Sequence, residues 1–385
     1  MVRACGIIDL TTNLVRAPRK AAARTELLER QLRRYHPRSE GAVRALAMRH
    51  PRIADLAVSF PALMFALAVP RPGFDPACAL ARVIDGHALA AVAAAADLPM
   101  WLRNLPPEAF VRPIPGLPDG ELFRRRIVNH LPRSPKLVAT WLQAVADVGA
   151  LAHEQAAVWI ARELIREPQG VKPARLRLVS LWAWFSLEPT TFAHALIERR
   201  WTPEIRIKQA LAAAGDWRTM IGLHVNLGGA PITDMWLEPG RVGVYDFHAL
   251  SSIAAIVDEA NAMRNCLRTY GYSLAHNSAR LWSVRRDGAR VATLRLSTRN
   301  ADPLPNIVEL KGPGNTKVPR EVWWAARRWL NMHDLSQIDM NRRKWDAAPL
   351  DRGIWRSLWR PYWLAKRRIP HWLPLAPSHA PLGSL

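Results

Sequence analysis

Two runs of alternating apolar and polar residues, 281–284 and 291–296, flank the dipeptide Asp287-Gly288. Alternation with a period of two is typical of a strand that buries one face, whereas a helix repeats its apolar residues every three or four positions. Asp-Gly suits the two-residue turn of a hairpin, because that turn needs positive φ. The sequence therefore predicts a β-hairpin in the C-terminal part of the chain.

The segments around the hairpin predict a small domain. A helix is expected over about 251–270, because its apolar residues share one face. The segment "NIVELKG" predicts a third short strand, and "PREVWWAARRWLNMH" predicts a closing amphipathic helix. The preceding "GGAPITDMWLEPGRVGVYDF" is rich in turn residues and is expected to be irregular.

The residues before about 235 are helical in character. Apolar residues recur at helical spacing, and prolines separate the segments. Residues 17–35 give the clearest helix, with Glu26 and Arg30 paired on its exposed side. The longest apolar stretch, 58–69, is too short to cross a bilayer, so we expect a buried core helix there.

The predicted fold class is therefore α+β, with three parts. A large all-helical N-terminal region, 1–235, is followed by a small helix–β-hairpin–strand–helix domain, 236–335. The remaining residues, 336–385, form a basic tail that is rich in tryptophan.

Charge limits the classes of partner. The chain has 54 Lys and Arg against 32 Asp and Glu, a formal net charge of +22. These basic side chains either lie on solvated faces without a partner or bind a polyanion. Clustered cations favour a polyanion because they release the counterions of its phosphates. Nucleic acid, either DNA or RNA, is the favoured partner. A protein partner remains an alternative, and an anionic membrane surface is a weaker one.

The tail concentrates these cations beside aromatic rings. Trp355, Trp359 and Trp363 recur every fourth residue and so align on one helical face, although Pro361 is expected to kink or end that helix. The rings either dock on the protein's own core, or stack on single-stranded bases, or lie in a membrane interface. The candidate nucleic-acid-binding residues are Arg342, Arg343, Lys344, Trp355, Arg356, Trp359, Arg360, Lys366, Arg367 and Arg368.

The three cysteines, Cys5, Cys78 and Cys266, are widely separated. No pair has the spacing of metal ligands or of a disulfide framework, so we expect no metal, no cofactor and a cytoplasmic location. Cys266 falls near the predicted end of a helix, where the dipole disfavours a thiolate. We therefore predict that it packs as a small apolar residue rather than acting as a nucleophile.

Several spaced motifs between 258 and 330 follow one another in a distinctive order. The residues of these motifs are, in chain order, Met263, Cys266 and Tyr270, then the strand Ala292-Thr293-Leu294, then Glu309, Lys311, Gly312 and Asn315. In this order they resemble the PcfJ-like protein family, which typically has Met-x-His-Cys-Val-x-x-Tyr, an "ATLEL"-type strand and a Gln-x-(Arg/Lys)-Gly-x-x-Asn turn. Asn265 stands where that family typically has His, and Glu309 stands where it usually has Gln.

The resemblance implies a plasmid or mobile-element context, because the founding member of that family is linked to conjugation. It implies no established catalytic activity, and no catalytic residue is assigned. We therefore expect a non-enzymatic accessory factor that binds nucleic acid or a nucleoprotein complex. A purely structural or protein-binding helical module is a further hypothesis.

The alternative hypothesis is an enzyme of unknown reaction. Its polar site would lie where the end of the predicted helix meets the turn at 311–315, whose glycines let backbone N–H groups approach an anion. The candidate residues of this site are Asn265, Cys266, Tyr270, Lys311 and Asn315. An enzyme requires these side chains to converge in a pocket, with an acid or a histidine within hydrogen-bonding reach.

Overall fold

Helices build the first half of the chain, and a five-stranded antiparallel sheet follows in the second half. The computed structural model describes residues 25–168, 173–298, 304–338 and 350–377. The chain divides into two compact units: Met1–Trp184 with Thr202–Gln209, and Phe185–Trp201 with Ala210–Leu385. The predicted α+β class is confirmed, while the three parts inferred from the sequence remain a prediction.

The helices and strands have the following bounds. The helices are α1 (25–32), α2 (Pro37–Ala47), α3 (Pro51–Ser59), α4 (Pro61–Ala68), α5 (Ala77–Asp85), α6 (Leu89–Ala95), α7 (Glu121–Ile127), α8 (Pro135–Leu151), α9 (Glu154–Arg166), α10 (Pro173–Ser186), α11 (Phe192–Ala195), α12 (Ile207–Leu227), α13 (Ile253–Met263), α14 (Gly271–Ala275), α15 (Arg320–Leu330) and α16 (Arg352–Lys366). The strands are β1 (Gly240–Val242), β2 (Tyr245–Ala249), β3 (Ala279–Arg286), β4 (Ala289–Thr298) and β5 (Pro305–Lys311).

Proline and histidine determine where several early helices begin. Helices α2, α3, α4 and α8 start at a proline, whose missing N–H costs nothing in the first turn. Helices α2, α3 and α9 follow His36, His50 and His153, whose Nδ1 atoms accept backbone N–H bonds. The apolar stretch 58–69 is two helices rather than the one predicted, because a new helix starts at Pro61. No helix in the four described ranges combines the length and apolar character needed to cross a membrane.

The predicted hairpin is confirmed. Strands β3 and β4 pair antiparallel across Asp287 and Gly288, whose φ angles of 50° and 79° are both left-handed as the turn requires. The third predicted strand is β5, which pairs with β4. The segment expected to be irregular contains β1 and the first half of β2, joined by a tight turn at Gly243 with φ 59°. The sheet order is β1-β2-β3-β4-β5.

The sheet lies between two helical layers. On one face, Phe247, Trp282 and Leu294 pack with helix α15, and the rings of Phe247 and Trp329 stack with centroids 4.5 Å apart. On the other face, an apolar cluster joins the sheet to α13, α14 and α12. Its fully buried members include Leu281. Successive side chains of β3 and β4 point to opposite faces of the sheet, and both faces are covered by helices. The candidate polar site lies on the second of these faces.

The helix expected to reach Tyr270 ends at Met263. Arg264 has φ 49° and ψ 51°, and the N–H of Asn265 bonds to the Ala260 carbonyl 3.2 Å away, so a left-handed residue closes α13. Cys266 follows in the turn and is exposed. The prediction that it packs is therefore wrong, because the helix ends three residues before it.

Candidate nucleic-acid interface and polar site

The tail helix α16 buries its row of tryptophans. Trp355 and Trp359 are fully buried and Trp363 is 7% exposed. The ring of Trp359 lies 5.8 Å from that of Phe185 and 6.0 Å from that of Trp217. The rings therefore dock on the core of their own unit, which confirms the first of the three interpretations of the tail. The prediction that Trp355 and Trp359 stack on nucleic-acid bases is wrong, because both rings are buried and neither presents a face to a ligand.

Helix α16 also runs past Pro361 to Lys366 instead of ending at the proline. Proline removes the donor for the carbonyl four residues earlier. That carbonyl belongs to Ser357, which is an exposed residue, so the missing donor falls on the solvent side of the helix. The outer face of the helix is thereby continuous up to its last turn.

Arginines collect on this outer face, in a groove of about 650 Å³ at the end of α16. Arg356 and Arg360 lie one turn apart on the helix, while Arg367 and Arg368 follow its end. Arg367 has φ 49° and caps the helix in a left-handed conformation, so the chain reverses and brings its last cations beside the first two. The groove also exposes the apolar side chains of Leu364, Ile369 and Leu375.

The charge of this groove is not compensated by carboxylates among the described residues. Within the described ranges, none of the arginines at 356, 360, 367 and 368 lies within ion-pair distance of a carboxylate. Lys366 differs, because its ammonium lies 5.9 Å from the centroid of the Tyr362 ring and burial lowers its pKa. The other predicted cations, Arg342, Arg343 and Lys344, lie outside the described residues.

In the second unit, Asn265 is connected to a buried carboxylate through a threonine. Its amide donates to the Thr293 hydroxyl at 3.1 Å, and that hydroxyl donates to Glu259 Oε1 at 3.0 Å. The Arg290 guanidinium pairs with Glu259 Oε2 at 2.8 Å and also bonds Asp258. Glu259 is completely buried, so both oxygens are satisfied internally.

The side chain of Tyr270 contacts residues of strands β4 and β5. Its hydroxyl donates to Glu309 Oε2 at 2.7 Å and accepts from Arg295 at 3.1 Å. Arg295 and Glu309 are cross-strand partners, which explains why both reach the same hydroxyl. Burial, and then the hydrogen bond to Glu309, raise the pKa of Tyr270 above its ordinary value of 10.0. The hydroxyl thus stays protonated at neutral pH and is a poor general base.

Lys311 lies opposite Thr293 in the register of β4 and β5, but no single hydrogen-bond network of the described residues joins all the candidate polar residues. Lys311 and Asn315 are exposed, and among the described residues of the second unit no hydrogen bond or ion pair joins either one to Asn265 or Tyr270. The turn closes on itself instead, with the Gly312 N–H donating to the Thr316 carbonyl at 2.9 Å.

Residues that the sequence did not nominate for the polar site supply the actual partners. They are Glu259, Arg290, Thr293, Arg295 and Glu309. The sequence pattern that could have indicated two of them is the alternation in β4, because it places Thr293 and Arg295 on the same face of the strand. Their carboxylate partners are engaged in ion pairs, and the part of the chain that the structure describes has no cluster of metal-ligating side chains.

Comparisons of this chain with protein-family models, with curated proteins and with solved structures found no match. The resemblance to the PcfJ-like family therefore rests on the spaced residues between 258 and 330 alone.

Proposed function

We propose that this protein binds nucleic acid through the arginine groove of α16, as an accessory factor without catalytic activity of its own. The supporting observation is the convergence of four exposed arginines, unpaired among the described residues, in one groove. Guanidinium groups bind phosphate oxygens in bidentate geometry, so a cluster of them complements a phosphate backbone. The net charge of +22 supports the same class of partner by attracting polyanions over long range.

The sequence resemblance adds a context to this proposal. It supports a role in a nucleoprotein complex of a plasmid or another mobile element. The scattered cysteines support a cytoplasmic location, where thiols stay reduced. The enzyme hypothesis has less support, because the acids nearest Asn265 and Tyr270 already form ion pairs with Arg290 and Arg295.

A salt titration tests the proposal. Affinity for single-stranded DNA, duplex DNA and RNA of equal length is measured between low and physiological salt by fluorescence anisotropy. Four phosphate contacts contribute about −2.8 to the slope of log affinity on log salt for a single strand, and about −3.6 for a duplex. The variant with all four groove arginines changed to Gln is expected to lose that part of the slope.

A matched control separates the groove from net charge. The control variant carries Arg→Gln at four arginines that already pair with carboxylates: Arg30, Arg124, Arg125 and Arg241. This control loses the same formal charge as the groove variant, and it is expected to keep most of the slope of log affinity on log salt. Equal losses in the two variants, or no binding by the wild-type protein at low salt, would contradict the proposal.

A further inference from the structure

Helix α15 carries a tryptophan that faces solvent. Trp324 is 57% exposed, whereas Trp329 in the same helix is fully buried against the sheet. Seventeen tryptophans occur in the chain, and the three that the sequence pattern aligned in the tail, Trp355, Trp359 and Trp363, are buried. Trp324 instead presents a large apolar ring to solvent, and so a different helix offers an accessible indole.

Arginines surround this ring. The Arg328 guanidinium lies 5.2 Å from the centroid of the Trp324 ring, at cation–π distance. Arg320 lies one turn before Trp324 on the same stripe of the helix, and Arg327 lies 5.9 Å from the neighbouring Trp323 ring. Among residues that the structure describes, none of these three arginines forms an ion pair with a carboxylate. The helix itself contains a single acidic residue, Glu321, in its first turn.

This surface has the two components that single-stranded nucleic acid requires. An exposed aromatic ring stacks on any base, and flanking cations bind the phosphates on either side. Arg320 and Arg328 are eight residues apart, which separates them by about 12 Å along the helix axis. Phosphates follow one another about every 3.4 Å along a duplex strand and can spread further in a single strand, so that distance spans more than one nucleotide.

We infer that Trp324, between Arg320 and Arg328, is a stacking platform for an unpaired base of single-stranded nucleic acid. The inference rests on the proposed nucleic-acid binding and specifies the form of the ligand. A duplex keeps its bases stacked inside and offers this ring no base face, so it gains only the phosphate contacts. An acidic protein segment would use the arginines, but it would not depend on stacking to the indole.

Binding of labelled oligonucleotides to the full-length protein tests the inference. Trp324→Ala is expected to weaken single-strand binding roughly 5- to 150-fold, the value of one base–aromatic stack, and to leave duplex binding nearly unchanged. Trp324→Phe retains a ring and is expected to retain most of the affinity. Because Trp324 is exposed, its removal leaves no core cavity, and the thermal unfolding midpoint checks this.

Tyr272→Ala is the matched control, because Tyr272 is 53% exposed in the same unit but lies outside α15. It is expected to bind both ligands as the wild type does. Full single-strand affinity in Trp324→Ala would overturn the inference, and so would an equal loss for single strand and duplex. Trp324-dependent binding to anionic vesicles or to a poly-glutamate peptide, with no preference for a single strand, would also overturn it.

The same experiment separates this inference from the proposed groove. If the groove variant keeps its salt slope while Trp324→Ala still loses single-strand affinity, the groove proposal fails and the platform stands. If the groove variant loses its slope and Trp324→Ala changes nothing, the groove stands and the platform fails. A wild-type protein that binds no nucleic acid rejects both.

Discussion

A buried carboxylate holds helix α13 to the sheet. Glu259 is fully buried and is bonded by Thr293 and Arg290, both on β4, and Asn265 joins the network through the threonine. Asn265, which stands where the PcfJ-like family typically has histidine, therefore has a structural partner in this chain. The network explains Asn265 without any catalytic role.

Removing that carboxylate is expected to destabilise the second unit. Glu259→Gln removes the buried carboxylate partner of Arg290, which is then left with only the exposed Asp258, and we expect a loss of about 3 kcal/mol in the free energy of unfolding. Asp258→Asn is the control, because Asp258 bonds the same arginine but is 68% exposed. It is expected to cost less than about 1 kcal/mol. Equal costs in urea denaturation would show that burial does not matter here.

The two faces of helix α16 differ in burial and in charge. The inner face fills the core with tryptophan rings, and the outer face carries the arginines of the groove. Its hydrogen bonds at Asp351, whose N–H donates to the Val225 carbonyl at 3.0 Å, fix the start of the helix within the unit. An amphipathic helix of this kind positions cations precisely because its other face is rigidly packed.

Substitutions on the two faces are expected to have opposite consequences. Trp359→Ala removes a fully buried indole and should lower the free energy of unfolding by about 3–5 kcal/mol. Arg360→Gln, one residue further on, should change stability by less than about 0.5 kcal/mol while it lowers nucleic-acid affinity. Denaturant unfolding and anisotropy titrations measure the two effects. A stable Trp359→Ala variant with reduced affinity would instead favour the base-stacking interpretation of the tail.

The molecule as a whole is expected to lose stability in mild acid. Burial lowers the pKa of His130 in the first unit, where Arg162 and Arg166 add to the effect, and burial alone lowers the pKa of His224 in the second. Both values lie below the ordinary 6.5, so the unfolded chain takes up protons first as the pH falls. The free energy of unfolding should then be level above pH 6.5 and decrease below it, until the folded pKa values are passed.

The limiting slope is about 1.4 kcal/mol per pH unit for each histidine. The double variant His130→Gln/His224→Gln should show a shallower decrease between pH 6.5 and 5, measured by denaturant unfolding at each pH. An unchanged pH profile in that variant would assign the acid sensitivity to other groups.

Local signals made much of the second unit predictable. The hairpin at Asp287-Gly288, strand β5 and helix α15 were each specified by contiguous residues, since turn chemistry and periodicity act over a few positions. Strands β1 and β2 were missed, because β1 has only three residues and needs its partner strand to be recognised. The end of α13 was missed because a non-glycine residue, Arg264, takes the left-handed conformation.

The sequence by itself determined the fold class, the hairpin and the presence of a basic, aromatic tail, because composition and periodicity are properties of neighbouring residues. Only the tertiary structure decided which side chains meet and which are exposed. It buried Trp355 and Trp359, exposed Trp324 and Cys266, and paired Asn265 with Thr293. Long-range packing assigns these neighbours, and residues far apart in the chain carry no local signal of their contact.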